Sequence, residues 1–247
     1  MLKVKDNIKK ISIVIPLFNE ENNVIPLLKE IEQSLKSKCQ FEVVAVNDGS
    51  KDKTLKNLVT FKSRYFKINI INLKKNYGQS ISLRAGIISA KYQTIVTLDG
   101  DGQNDPKDIL KIIKSFNLEK NFFIVIGNRV NRIDNISRKV ASKLALFIRS
   151  LIFRDTTPDT GCALKAFNKK DFLLLPFFNH IHRFLPIMFK FYGGQVLSVD
   201  VNHRKRITGK SKYSNFQRML VGIYDIIGVL WLKKRTIWPT DIKINKN

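Results

Sequence analysis

The stretch from Thr94 to Pro106, TIVTLDGDGQNDP, decides how the rest of the chain is read. Ile95, Val96 and Leu98 form a short apolar run with β-branched residues, which predicts a buried strand. The run stops at Asp99-Gly100-Asp101-Gly102, two carboxylates one residue apart with glycines between them. Asp105-Pro106 then supplies an N-cap and first-turn pair that opens a helix. In an open α/β sheet, ligands collect at the carboxyl ends of the strands. Two hard oxygen donors there suit Mg²⁺ or Mn²⁺, which keep several waters and take one or two carboxylates plus substrate phosphates. Asp and Gly are also turn formers, so a plain turn is the competing reading. The strand before and the helix start after favour the metal.

Working outward, the same unit recurs. Lys10 to Leu17 (KISIVIPL) reads as a buried strand, then Asn22 or Asn23 caps a helix over 24–36 with Ile25, Leu28, Ile31 and Leu35 inward. Phe41 to Val46 is a second strand, ending in Asn47-Asp48-Gly49-Ser50, and a helix near 52–64 follows. Ile68 to Leu73 is a third strand, and Gly78 to Ser89 a helix leading into the Thr94 strand. Strand and helix alternate with short polar connections, the pattern of a mainly parallel, doubly wound α/β sheet. Phe122 to Gly127 is a fifth strand running into Asn128-Arg129, and Ser137 to Phe153 reads as a helix. Residues 158–167 resemble a turn entering a short strand, and Gln195 to His203 alternates like a strand.

The chain has 247 residues and a formal net charge of +24, with 44% hydrophobic residues. That is a globular composition with a surplus of cations, which implies an anionic partner: nucleic acid, an anionic bilayer surface or phosphorylated substrates. The two cysteines, Cys39 and Cys162, have neither zinc-site nor disulfide-framework spacing. A reducing, cytosolic setting fits them, and MLKVKDNIKK has no apolar region of a signal peptide. Phe172 to Phe191 is crowded with phenylalanine and divides between core packing and lipid contact. Met219 to Leu232 is too short for a span, which needs about 20 apolar residues. Its Met219, Leu220, Ile223, Ile226, Ile227 and Leu230 lie at helical spacing, and Lys233-Lys234-Arg235 follows. We therefore expect a catalytic domain over 1–215 and an amphipathic, membrane-interfacial segment over 216–247.

Four strand ends deliver polar groups to one crevice: Pro16 to Glu20, Asn47 to Ser50, Asp99 to Gln103, and Asn128-Arg129. This arrangement resembles the family 2 glycosyltransferases of GT-A fold over nearly the whole chain. IPLFNEENNV is similar to the first motif of that family, and VNDGSKDKT to its V-x-D-x-S-x-D-x-T element. LDGDGQNDP is similar to the D-x-D-x-Q-x-D-P metal motif of the dolichol-phosphate mannose synthase and polyprenyl-phosphate glycosyltransferase branch. Gly100 and Gly102 stand where many relatives have larger apolar residues, so a more flexible metal loop is expected.

The resemblance implies a role for each matching position. Asp48 would accept hydrogen bonds from a nucleotide base, a task that suits an acceptor-only carboxylate. Pro16, Phe18 and Glu20 would shape the nucleoside pocket, while Asp99, Asp101 and Gln103 would hold Mg²⁺ or Mn²⁺ against the donor diphosphate. Arg129, Arg138, Ser142, Arg206 and Lys212 would hold phosphate of the acceptor or the donor. Asp159 sits where related inverting enzymes carry an acidic residue near the acceptor. A hydroxyl acceptor needs such a base, whereas a phosphate is already an anion, so Asp159 would be either a base or an anchor for Arg and Lys side chains.

The expected activity is inverting, metal-dependent transfer of a sugar from a GDP- or UDP-linked donor to a polyprenyl or dolichyl phosphate. The expected place is the cytoplasmic face of a membrane, with peripheral contact only. Transfer to a saccharide hydroxyl in cell-surface glycan synthesis is the alternative, with Asp159 as obligatory base. A nucleic-acid-binding protein is a distant third, because the basic residues are not interleaved with exposed aromatics in any binding motif. A second copy of the chain, or a separate membrane protein, remains open as a partner.

Overall fold

A computed structural model describes residues 10–130, 146, 149–204 and 215–235. The chain divides into two compact units, Met1–Gly209 and Lys210–Asn247. The first holds a seven-stranded sheet: β1 (Lys10–Leu17), β2 (Gln40–Asp48), β3 (Lys67–Leu73), β4 (Thr94–Thr97), β5 (Phe123–Arg129), β6 (Lys165–Asn168) and β7 (Gln195–Val201). Their order is β3-β2-β1-β4-β6-β5-β7. Pairing is parallel throughout except at β6, which runs against both β4 and β5.

The central strands are short apolar runs rich in Ile and Val. Ile13, Val43, Val44, Val46 and Val96 have no exposed surface, so both faces of the central strands are covered, as parallel sheets require. The covering helices are α1 (Val24–Leu35), α2 (Thr54–Thr60), α3 (Gln79–Ser89) and α4 (Ile109–Ser115), the last entered through a 3₁₀ turn at Pro106–Asp108. Further on come α5 (Lys169–Leu174) and α6 (Ile181–Phe191), and residues 149–153 are also helical. Leu146 is helical too, and the other residues of the helix expected over 137–153 lie outside the described residues.

Two local expectations change. α1 buries Val24, Leu27, Leu28, Ile31 and Leu35, while Ile25 is only half-buried. Its Asn23 makes no side-chain cap; the Nδ2 group instead donates to Glu20 Oε2 at 2.7 Å. The Phe-rich segment resolves toward the core. Phe172, Phe184 and Phe189 are buried, and Phe167 lies against both Phe172 and Phe189 at centroid distances of 5.4 and 5.9 Å. Leu173 and Leu174 stay exposed, so α5 keeps a small apolar outer edge. Those rings therefore belong to the core, while Phe177, Phe178 and Phe191 of the same segment are only half-buried.

The second unit contains α7 (Asn215–Arg235). Ile223, Tyr224, Ile227 and Trp231 are exposed on it, and Lys233, Lys234 and Arg235 occupy its last turn. Positions 223, 227 and 231 are four apart and share one stripe. Among the described residues no helix is long and apolar enough to cross a membrane.

Candidate active site

Strand order reverses around β1, which has β2 on one side and β4 on the other, so the carboxyl ends of these strands open onto a crevice. Pro16, Phe18 and Glu20 leave β1 there, each half-buried. Their loop is laced to the one after β2. Asn19 N donates to Ser50 Oγ at 2.9 Å, Lys51 N to Asn19 Oδ1 at 2.9 Å, and Glu20 N to Thr54 Oγ1 at 2.8 Å. Asp52 joins the lacing. Its burial works against its charge, but hydrogen bonds from the Thr54 side chain and from the Thr54 and Glu21 amides outweigh that and hold the carboxyl below the usual range.

Asp48 closes β2 with 3% exposure. Its Oδ1 accepts from Tyr77 N at 2.8 Å and its Oδ2 from Gly78 N at 2.9 Å. The carboxylate therefore clamps the turn into α3. Gly49 follows with φ +67°, and a Cβ there would lie 2.4 Å from the carbonyl carbon of Lys75. Only glycine satisfies both the left-handed backbone and that close approach.

Beyond β4, Asp99 Oδ1 accepts from Gln79 Nε2 at 2.8 Å, and Asp101 Oδ1 accepts from Gln103 N at 3.1 Å. Gln103 Nε2 lies 3.3 Å from His203 Nε2 and donates to Arg204 O at 3.3 Å. The two glycines of this loop have different tasks. A Cβ at Gly100 would fall 2.3 Å from Leu17 Cδ2 and 3.2 Å from Pro16 O, so this glycine lets the metal-motif turn press against the end of β1. Gly102 has φ +72° with open space around it, so it serves the backbone turn rather than packing.

On the far side of the crevice Arg129 and Asp159 hold each other. Arg129 Nε donates to Asp159 Oδ2 at 2.5 Å and Nη2 to Oδ1 at 2.8 Å, with side chains 14% and 10% exposed. This is the bidentate fork that guanidinium and carboxylate favour. Burial works against the Arg129 charge, but the Asp159 hydrogen bonds and charge outweigh it, and Asp99 adds to the effect, so the cation is held more firmly than usual. The two residues assigned separate roles from the sequence thus form one unit. Arg149 donates to Thr160 Oγ1, and to Thr157 O at 3.2 Å, bracing the loop that carries Asp159.

Three groups near the crevice were not singled out from the sequence. Gln79 reaches Asp99 from α3. Lys165, 4% exposed, donates to the Cys162 carbonyl; burial pushes its pKa down, offset in part by the charges of Cys162, Asp99 and Asp159. His182 Nδ1 lies 2.7 Å from Ser80 Oγ, and burial together with Arg183, Lys165 and His180 drives its pKa well below the usual histidine value, leaving a neutral ring. None of the three has a sequence spacing that would have flagged it. Of the expected phosphate ligands, Arg138, Ser142, Arg206 and Lys212 lie outside the described residues.

Among the described residues no three His, Cys, Asp or Glu side chains converge as a complete metal cage. The donor set present is Asp99 and Asp101 with the Gln103 amide nearby, all hard oxygen groups of the kind that suits a cation keeping waters and phosphate oxygens. The residues fit such an ion.

Residues 12–175 match the model of the family described as Glycosyl transferase family 2. The undecaprenyl-phosphate 4-deoxy-4-formamido-L-arabinose transferase of Photorhabdus laumondii is 33% identical over 230 residues, 91% of this chain and 69% of that protein. The dodecaprenyl-phosphate galacturonate synthase of Rhizobium johnstonii is 31% identical over 235 residues, 93% of this chain and 69% of that protein. Among solved structures, glucosyl-3-phosphoglycerate synthase from Mycobacterium tuberculosis, in complex with Mn²⁺, uridine diphosphate and phosphoglyceric acid, superposes with a TM-score of 0.66. It is 12% identical, and the match covers 94% of this chain and 80% of that one, a likeness of fold.

Proposed function

This chain belongs to glycosyl transferase family 2, and from that premise we propose that it transfers a sugar from a nucleoside diphosphate to a polyprenyl phosphate at a membrane surface. The observation that carries the reading is the juxtaposition, at one end of the sheet, of the Asp99–Asp101 pair with a guanidinium already held by Asp159. Acids on one wall suit a cation and a diphosphate; a fixed cation opposite suits a second phosphate.

Pro16, Phe18 and Glu20 would line the nucleoside, on a loop kept in place by Ser50 and Thr54. Asp48 would act on the donor side, through the 77–78 turn it clamps and through its remaining lone pairs toward the base. Asp99, Asp101 and Gln103 would hold Mg²⁺ or Mn²⁺, which neutralises charge on the departing nucleoside diphosphate. A phosphate oxygen of the acceptor forms the new bond to the anomeric carbon. The bond from that carbon to the diphosphate oxygen breaks, its electron pair leaves with the nucleoside diphosphate, and the centre inverts. The attacking oxygen carries no proton to remove, so Asp159 is free to spend its charge on orienting Arg129.

The exposed stripe of α7, with its basic last turn, would rest in the interface of an anionic, cytoplasm-facing leaflet. The test is a panel of GDP- and UDP-sugars incubated with undecaprenyl phosphate in detergent, with and without Mn²⁺ or Mg²⁺, read by mass spectrometry of the lipid. A glycosyl phospholipid formed only with metal is expected. Transfer to saccharide acceptors but never to the lipid would overturn the proposal.

A further inference from the structure

After β7 the chain folds back onto the loop that follows the two aspartates. Asn202 N donates to Asp108 Oδ2 at 2.6 Å, and His203 pairs with Asn104 in an antiparallel bridge. Arg204 N donates to Gln103 O at 2.8 Å, while Gln103 Nε2 donates back to Arg204 O at 3.3 Å. The Arg204 side chain then spans two further elements. Nη1 meets Glu30 Oε2 on α1 at 2.6 Å, and Nη2 meets Asp105 Oδ1 at 2.8 Å. Asp105 Oδ1 also accepts from Lys107 N at 3.0 Å, so the same carboxylate caps the 3₁₀ turn that starts at Pro106.

We propose that Arg204 is a positioning residue for the divalent-cation site, tying the 103–105 loop to α1 and so fixing where the Gln103 amide oxygen stands beside Asp99 and Asp101. This rests on the reading of those three residues as cation ligands. The amide is planar, so holding its nitrogen on the Arg204 carbonyl fixes its oxygen as well. Arg204 is 35% exposed and Glu30 40%, so their pair adds little to stability. Its effect is on geometry, as for the outer groups that orient ligands in metal sites generally.

Arg204 also differs in kind from the lysines scattered over the helices. A lysine is a point charge, whereas this guanidinium has two carboxylates on two elements 75 positions apart, Glu30 and Asp105, with its own backbone pinned to a third group. Removing it loosens the loop at its outer edge and releases the Gln103 amide, while Asp99 and Asp101 stay in place.

Titration of the protein with Mn²⁺ alone, followed by electron paramagnetic resonance of the free ion, tests this without any need for the substrates. R204A is expected to weaken Mn²⁺ binding about tenfold or more, within the range for loss of an orienting partner. Glu30→Gln, which removes only the α1 arm from an exposed position, is expected to weaken it about threefold, short of the roughly tenfold at the lower end of that range. Both variants should melt close to the parent. Unchanged Mn²⁺ binding in both overturns the proposal while the cation site stands. If the parent protein binds no Mn²⁺, and Asp99→Asn and Asp101→Asn change nothing, the cation reading itself fails and the proposal falls with it.

Discussion

Replacing Asp159 with Asn separates the two acceptor classes. In the structure this carboxylate takes two hydrogen bonds from Arg129, at 2.5 and 2.8 Å, with both side chains largely buried. Opposite unit charges about 4 Å apart attract by about 4 kcal/mol at an effective dielectric of 20. Breaking a buried pair from one side costs about 3–5 kcal/mol. Asn keeps the shape and one acceptor oxygen, so about 3 kcal/mol is the expected loss. For a chain of this size that lowers the melting temperature by about 6–12 °C. With a phosphate as nucleophile no proton has to be removed, so kcat should stay within about tenfold of the parent, the main change being a raised KM for the lipid as Arg129 loses its orientation. With a hydroxyl acceptor, loss of the base would cost about a hundredfold to ten-thousandfold in kcat. The assay is lipid-dependent release of nucleoside diphosphate at 20 °C, alongside a thermal melt. A drop in kcat beyond a hundredfold at 20 °C, where the melt shows the variant still folded, would refute the argument that Asp159 acts through Arg129.

Gly49→Ala should lower stability by about 2–4 kcal/mol, since the left-handed backbone alone costs about 1–2 kcal/mol and the methyl group meets the Lys75 backbone; a melt superimposable on the parent's would show that the 49–75 contact is not as drawn. His182 has a folded-state pKa below its unfolded one, so the unfolded chain binds more protons as pH falls through about 6.5, and stability declines toward acid by at most about 1.4 kcal/mol per pH unit. In His182→Gln the slope of melting temperature between pH 7 and 5.5 should flatten, and an unchanged slope would place the titrating group elsewhere. Ile227→Ser with Trp231→Ser should reduce co-sedimentation with anionic phosphatidylglycerol vesicles about tenfold, each buried apolar side chain being worth about 1.5–3 kcal/mol before partial insertion is discounted; equal sedimentation would remove α7 from the membrane reading.

The sheet was legible because its central strands carry short apolar runs rich in Ile and Val that stop at polar turns. Lys10–Leu17, for example, occupies the same eight positions in sequence pattern and structure. The reversal of β6 was not legible, since strand direction is set by what precedes the strand and not by its own four residues. The Phe-rich segment was ambiguous for a related reason. Composition measures how apolar a stretch is, while burial of Phe172, Phe184 and Phe189 depends on rings and strands distant in sequence. Within the site, the acidic motif announced itself by spacing. Contacts such as Gln103 with His203, or Ser80 with His182, join residues about a hundred positions apart and leave no local trace. The packing at Gly100 was not legible either, because a glycine's effect depends on its neighbour, and here a Cβ would collide with Leu17.

The reversed strand has a consequence for how this scaffold can diversify. Every other strand presents its exit to the crevice, but β6 presents its entrance, Lys165 standing beside Thr97. On the proposed reading the donor wall would be written by residues 16–103 in one continuous passage, and the opposite wall by Arg129 and the separate lead-in at 155–165. If those roles hold, descent could rewrite the second passage without editing the first, keeping one half constant while the other changes.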